Sequence, residues 1–218
     1  MTFVPPETFN ISEYFLGQRI REGLEGRRAL LTDGGPVTYG EVHALASRFG
    51  NVLATAGVRP EERVLIALSD GPDYAAALFG ILRLGAVAVM VNPHLPPDQL
   101  RYFFEYTRAR AAFVDPEVAA TFAQVAADAR HAPELLVTGT DAFRRDVDAA
   151  GSELDPFPSH PDDAAIWLFS GGTTGYPKAV VQPHRSYANT TELYGKGVLG
   201  IRAEDITLSV PKLFFGYA

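Results

Sequence analysis

Residues 164–182 read AAIWLFSGGTTGYPKAVVQ, and they constrain the 218-residue chain more tightly than any other stretch. Ile166, Trp167, Leu168 and Phe169 form a short apolar run of the kind that fills a buried strand. Ser170-Gly171-Gly172-Thr173-Thr174-Gly175 follows, then Tyr176-Pro177-Lys178, then the β-branched pair Val180-Val181. Glycine reaches φ > 0 without a steric penalty, so Gly171, Gly172 and Gly175 are free to turn successive N–H groups toward one point. Ser170, Thr173 and Thr174 add hydroxyl donors, and Lys178 adds a positive charge. A polyphosphate needs this set of groups, and ATP is the expected ligand.

The spacing argues against the Walker A loop. That motif requires Gly, four residues, then Gly-Lys-Ser/Thr at the start of a helix. Here Pro177 separates Tyr176 from Lys178, Ala179 stands where a magnesium-binding hydroxyl would be, and the following AVVQ reads as a strand. A plain surface turn accounts for the Gly and Thr content. It does not account for a lysine and three hydroxyl residues packed around three glycines.

Outward from this stretch the chain alternates helices and strands. Thr38 and Glu41 form a capping box. Val42, Leu45, Ala46, Phe49, Val52 and Leu53 then keep helical spacing until Gly57 stops the run. RVLIALSD (63–70) reads as a buried strand, and Gly71-Pro72 opens a helix that is apolar nearly all round. AVAVMVNP (86–93) is the next strand, and Pro96-Pro97-Asp98 starts the next helix. AAFVD (111–115), a helix after Asp115-Pro116, and ELLVTG (134–139) continue the pattern. The expected fold is α/β, with layered, mostly parallel sheets covered by helices. AGSELDPFPSHPDD (150–163) reads as a surface connection and a subdomain boundary, dividing the chain into 1–163 and 164–218. A helix over 187–194 and a strand over DITLSV (205–210) lead into PKLFFGYA, where an apolar end without a cap looks like a chain cut inside a fold.

SGGTTGYPKAVV resembles the phosphate-binding signature of the acyl-adenylate-forming enzymes, which comprise acyl-CoA synthetases, adenylation domains and luciferases. Their pattern is Ser/Thr-Ser-Gly-Ser/Thr-Thr-Gly-x-Pro-Lys-Gly. The chain departs from it at Gly172, where a hydroxyl residue is usual, and at Ala179, where Gly is usual. Residues 38–70 and 79–115 resemble the family's opening elements, so the likeness covers nearly the whole chain. It implies the first part of the family's large N-terminal domain, with the second subdomain incomplete. It also implies that Ser170, Gly171, Gly172, Thr173, Thr174, Gly175 and Lys178 hold the ATP phosphates. The terminal PKLFFGYA is similar to the segment that lines the acyl pocket. By that match Phe215 takes the position of the family's aromatic or His gate beside the α-phosphate and the carboxylate, while Gly216 and Tyr217 line the wall of the acid pocket. TELYGKGVLGI and DITLSVPKLFFGYA look most like benzoate- and hydroxybenzoate-CoA ligases, and rings suit a flat aryl acid.

The implied activity is ATP-dependent activation of a carboxylic acid through an acyl-adenylate, followed by thioester formation with coenzyme A, with Mg2+ accompanying ATP. The family's Tyr-Gly-x-Thr-Glu motif, ribose Asp, hinge and C-terminal domain with its catalytic Lys are not found in the 218 residues. No catalytic residue is therefore assigned within this segment. The implied partners are a small carboxylic acid and the remainder of the enzyme, on the same or another chain, with room for a homodimer. A non-catalytic nucleotide-binding or docking module, and adenylation with a carrier-protein acceptor, stay open as alternatives.

A net charge of −7 gives no basic footprint for nucleic acid or an anionic membrane. The absence of cysteine excludes disulfides and thiolate metal sites and fits a reducing compartment. MTFVPPETFN has neither a basic n-region nor an apolar h-region, and a cytoplasmic location is expected. His184 lies near the loop, but no Ser or Cys nucleophile accompanies it, so it reads as structural. His43, His94, His131 and His160 show no metal-ligand spacing. Asp162-Asp163 reads as a solvated face. Leu213 and Phe214 read as core, as do Tyr102, Phe103, Phe104 and Tyr106 along one helix.

Overall fold

A computed structural model describes residues 3–171 and 175–216. The chain enters through a π-helical stretch, Glu13–Gly17, that runs into α1 (Gln18–Arg21). A small antiparallel hairpin follows, β1 (Arg28–Thr32) and β2 (Gly35–Thr38). Then come α2 (Tyr39–Thr55), β3 (Arg63–Ala67), α3 (Pro72–Arg83), β4 (Val87–Met90), α4 (Pro97–Thr107) and β5 (Ala111–Val114). The series ends with α5 (Ala119–Asp128), β6 (Glu134–Val137), α6 (Asp141–Ala149), β7 (Ala164–Ser170), β8 (Lys178–Pro183) and α7 (His184–Asn189). A second π-helical stretch, Thr190–Lys196, extends α7.

The main sheet has six strands in the order β6-β5-β3-β4-β7-β8. β6, β5, β3, β4 and β7 pair in parallel, and β8 turns back antiparallel on β7. The expected parallel α/β architecture is what the chain adopts, and β7 and β8 lie in the same sheet as the strands before residue 163.

Strand alternation sorts the core into two layers. Val64, Ile66 and Leu68, with Ala88, Phe113 and Ile166, face α2 and α3. Leu65 and Ala67, with Val89, Ala112 and Val114, face the aromatic side of α4 and α5, where Phe103, Phe104 and Phe122 are buried. Each large side chain so enclosed contributes about 1.5–3 kcal/mol. α2 begins where the capping box puts it. The Glu41 N–H donates to Thr38 Oγ1 at 3.2 Å, and the Thr38 N–H donates to Glu41 Oε2 at 2.7 Å. α2 and α3 meet backbone to backbone. A Cβ at Gly80 would sit 2.6 Å from Ala46 O and 2.9 Å from Gly50 N, so this crossing tolerates no side chain there.

The polar segment 150–163 is a connection, and it is strapped down. The Phe9 N–H donates to Ser159 O at 2.7 Å, the Phe157 N–H donates to Arg83 O at 2.8 Å, and Ser159 is buried. One expectation fails. Residues 205–210 form no strand; they run irregular and exposed. A strand needs a neighbour to receive its N–H and C=O groups, and none of the described strands pairs with them. Among the described residues no helix is long and apolar enough to cross a membrane.

Candidate active site

β7 and β8 carry the phosphate-loop motif as a hairpin. In its register Leu168 lies opposite Val180, Phe169 opposite Ala179, and Ser170 opposite Lys178. Directly opposed residues of an antiparallel pair share a face. The Ser170 hydroxyl and the Lys178 ammonium therefore flank the mouth of the loop side by side, and both residues are exposed. Lys178 pairs with no carboxylate among the described residues, which leaves its charge available to an anion. Gly175 has φ of 112°, a conformation only glycine adopts without strain, and open space surrounds its missing Cβ. Gly171 is likewise open. Gly172, Thr173, Thr174 and Tyr217 lie outside the described residues.

The far side of the loop is braced by α4. The Tyr102 hydroxyl donates to Pro177 O at 2.8 Å, and its ring stacks on Tyr176 with centroids 4.6 Å apart and planes 21° from parallel. Burial, helped by the neighbouring phenols of Tyr106 and Tyr176, raises the Tyr102 pKa and keeps the hydroxyl a donor. From sequence Tyr102 is a packing residue alone. Its strut to the loop is invisible there, because a tyrosine on a packed helix face looks the same whether or not its hydroxyl finds a distant carbonyl.

The terminal segment returns to the same end of the sheet. Leu213 and Phe214 pack against the layer shared by α2 and α3, in keeping with their reading as core. Phe215 is exposed, with its ring centroid 4.6 Å from that of Phe214. A Cβ on Gly216 would stand 3.7 Å from Leu168 Cδ1. Leu168 is two residues before Ser170 and points to the same face of β7. Ser170 and Lys178 and the segment bearing Phe215 and Gly216 are thus brought together at the carboxyl end of one strand. Open α/β sheets bind ligands at such ends.

His184 takes the structural role expected of it. It is buried, and its Nδ1 accepts the Ile11 N–H at 3.1 Å. Asp162 pairs with Arg185 at 2.7 Å, and Asp163 accepts the His160 N–H at 2.7 Å. Among the described residues no three histidine or acidic side chains converge where a metal could sit.

The family model of the AMP-binding enzymes matches residues 18–218. The 3-hydroxybenzoate–CoA/4-hydroxybenzoate–CoA ligase of Thauera aromatica is 34% identical over 221 residues, a match covering 98% of this chain and 42% of that protein. The benzoate–CoA ligase of the same organism is 32% identical, with 97% and 41% covered. Among solved structures, the anthranilate CoA ligase AuaEII in complex with anthranoyl-AMP superposes with a TM-score of 0.91 at 29% identity, covering 97% of this chain and 42% of that one. A benzoate CoA ligase from Burkholderia xenovorans LB400 gives 0.85 at 34%, with 95% and 41% covered. The chain therefore spans about two fifths of the length of these relatives. With the family's model matched from residue 18 onward and the phosphate-loop hairpin set at the end of a parallel sheet, the chain belongs to the AMP-binding enzymes.

Proposed function

We propose that this chain forms the first part of an ATP-dependent aryl-acid–CoA ligase. In the proposed reaction the acid's carboxylate attacks the α-phosphorus of ATP, releasing pyrophosphate, and the thiol of coenzyme A then displaces AMP from the acyl-adenylate. The substrate supplies the nucleophile, so a segment without a catalytic side chain is consistent with the chemistry. Ser170 through Gly175, with Lys178, would hold the β- and γ-phosphates. Phe215, Gly216 and Tyr217 would border the acid. Catalysis of this kind rests on positioning and charge stabilisation. The observation that supports this reading is the approach of both the Ser170–Lys178 end of the hairpin and the Phe215–Gly216 segment to Leu168.

Mg2+ fits as a companion of the nucleotide. It is held largely by phosphate oxygens and water, and the described residues provide no all-protein cage for it. We further propose a cytoplasmic enzyme with a subdomain boundary at residues 163/164. The test is benzoate-dependent exchange of pyrophosphate into ATP by the complete enzyme. Lys178→Ala is expected to raise the KM for ATP and lower turnover while the circular dichroism spectrum stays as in the wild type, since Lys178 is exposed. Unchanged ATP kinetics would remove Lys178 from the site. A preference for long alkyl acids over benzoate would remove the aryl assignment.

A further inference from the structure

Asp70 ties the terminal segment to the sheet. We propose that it is a positioning residue for the acid side of the site. The inference rests on the assignment of Phe215 and Gly216 to the acid pocket. Asp70 follows β3 at its carboxyl end, immediately before the N-cap of α3. The N-cap of α3 is Gly71, which has no side chain to bond the helix start. Asp70 reaches across 143 residues, where its Oδ1 accepts the Leu213 N–H at 3.0 Å. Lys212 Nζ lies 3.6 Å from the other oxygen, so two consecutive residues of the segment converge on one carboxylate. The neighbouring Asp115 is already engaged, accepting the Ser69 N–H at 2.6 Å.

The position within the fold matters. From β3 the chain passes outward to β4, then returns to the other side of β3 to form β5. Connections from adjacent strands therefore leave toward opposite layers at β3, which opens a crevice at the carboxyl ends. The terminal segment enters there at Asp70, lays Leu213 and Phe214 on the α2/α3 layer, and arrives at Leu168 of β7 with Gly216. Asp70 fixes one end of this short bridge, and Phe215 stands on the bridge. Both contacts are exposed; the charged acceptor makes the backbone bond the stronger of the two, and the Lys212 ion pair adds little. The phosphate loop is braced separately, by Tyr102 from the α4 side. Loosening Asp70 should thus disturb the acid and leave ATP alone.

Two measurements test this. Hydrogen exchange on the 218-residue chain reads the Leu213 amide directly, and steady-state kinetics of the complete enzyme reads the two substrates. Asp70→Ala is expected to speed exchange at Leu213 and to raise the KM for benzoate about tenfold, the factor carried by one net bond to a charged group. The KM for ATP should stay as in the wild type. Asp70→Asn keeps a side-chain carbonyl acceptor without the charge and should restore part of both losses, whereas Lys212→Ala should have little effect. Unchanged Leu213 exchange in Asp70→Ala, or a parallel rise in both KM values, would overturn the proposal. If benzoate were not turned over at all, the aryl assignment alone would fall. Leu213 exchange and the KM for the acid actually used would then decide the role of Asp70.

Discussion

His184 shows how much one buried ring contributes. It is 1% exposed, and burial pushes its pKa down to about 4, with the charge of Asp163 opposing part of the shift. Protonation would also put a hydrogen on the Nδ1 that accepts the Ile11 N–H. The folded pKa lies below the unfolded value of about 6.5, so the unfolded chain binds the extra proton first. Stability is complete above about pH 6.5 and falls as the pH drops toward 4, by about 3 kcal/mol. Urea unfolding of the 218-residue chain at pH 7 and at pH 4.5 checks this, with His184→Gln expected to flatten much of the difference. An equal pH dependence in the variant would show that other groups carry it. The structural role of His184 was legible because no nucleophile accompanies it in the sequence. The tasks of Tyr102 and Asp70 were not, since each depends on a backbone atom that only the tertiary fold brings near.

Among the elements, α6 shows why local pattern runs out. Its sequence, DAFRRDVDA, sets Phe143 and Val147 four residues apart on an otherwise polar stretch, and Phe143 alone is buried, so the apolar period is too short to mark a helix by itself. The element is held from α2. Arg48 Nη1 donates to Val147 O, Asp148 O and Ala150 O at 2.9, 3.2 and 2.5 Å, satisfying carbonyls at the helix end. Asn51 Nδ2 continues the seam to Gly151 O and Glu153 O. Arg48→Ala should cost about 1–2 kcal/mol and speed hydrogen exchange over residues 141–153, with Arg48→Lys recovering part. Unaltered exchange in that window would show that Phe143 alone docks the helix. α2, α3 and β3 to β5 were legible because their caps and apolar periods are written locally. The stretch 205–210 carries a strand's composition, but pairing depends on a neighbour that the described residues do not supply.

At the scale of the molecule, a number of large apolar side chains stand exposed. Leu208 and Val210 are 90% and 89% exposed, and Val180, Val181, Val198, Leu199 and Ile206 are exposed with them. β8, which carries Val180 and Val181, is also the edge of the sheet. Exposed apolar side chains and an open sheet edge each favour association. The isolated 218-residue chain should therefore self-associate at micromolar concentration in sedimentation velocity. The pair Leu208→Lys and Val210→Glu should raise the monomer fraction without altering the far-ultraviolet spectrum. A wild-type chain that stays monomeric would show that this surface needs no cover.

The brace behind the phosphate loop has an optical consequence. From Tyr176 the rings step to Tyr102 at 4.6 Å, to Tyr106 at 5.3 Å and to Trp167 at 6.3 Å. Trp167 is the only tryptophan in the chain, and it sits in β7, the strand that feeds the loop. Excitation absorbed by a tyrosine at one end of this ladder drains to a single indole at the other. The molecule therefore carries an unlabelled fluorescent reporter at the base of the hairpin proposed to meet the nucleotide, within reach of the stacked Tyr176.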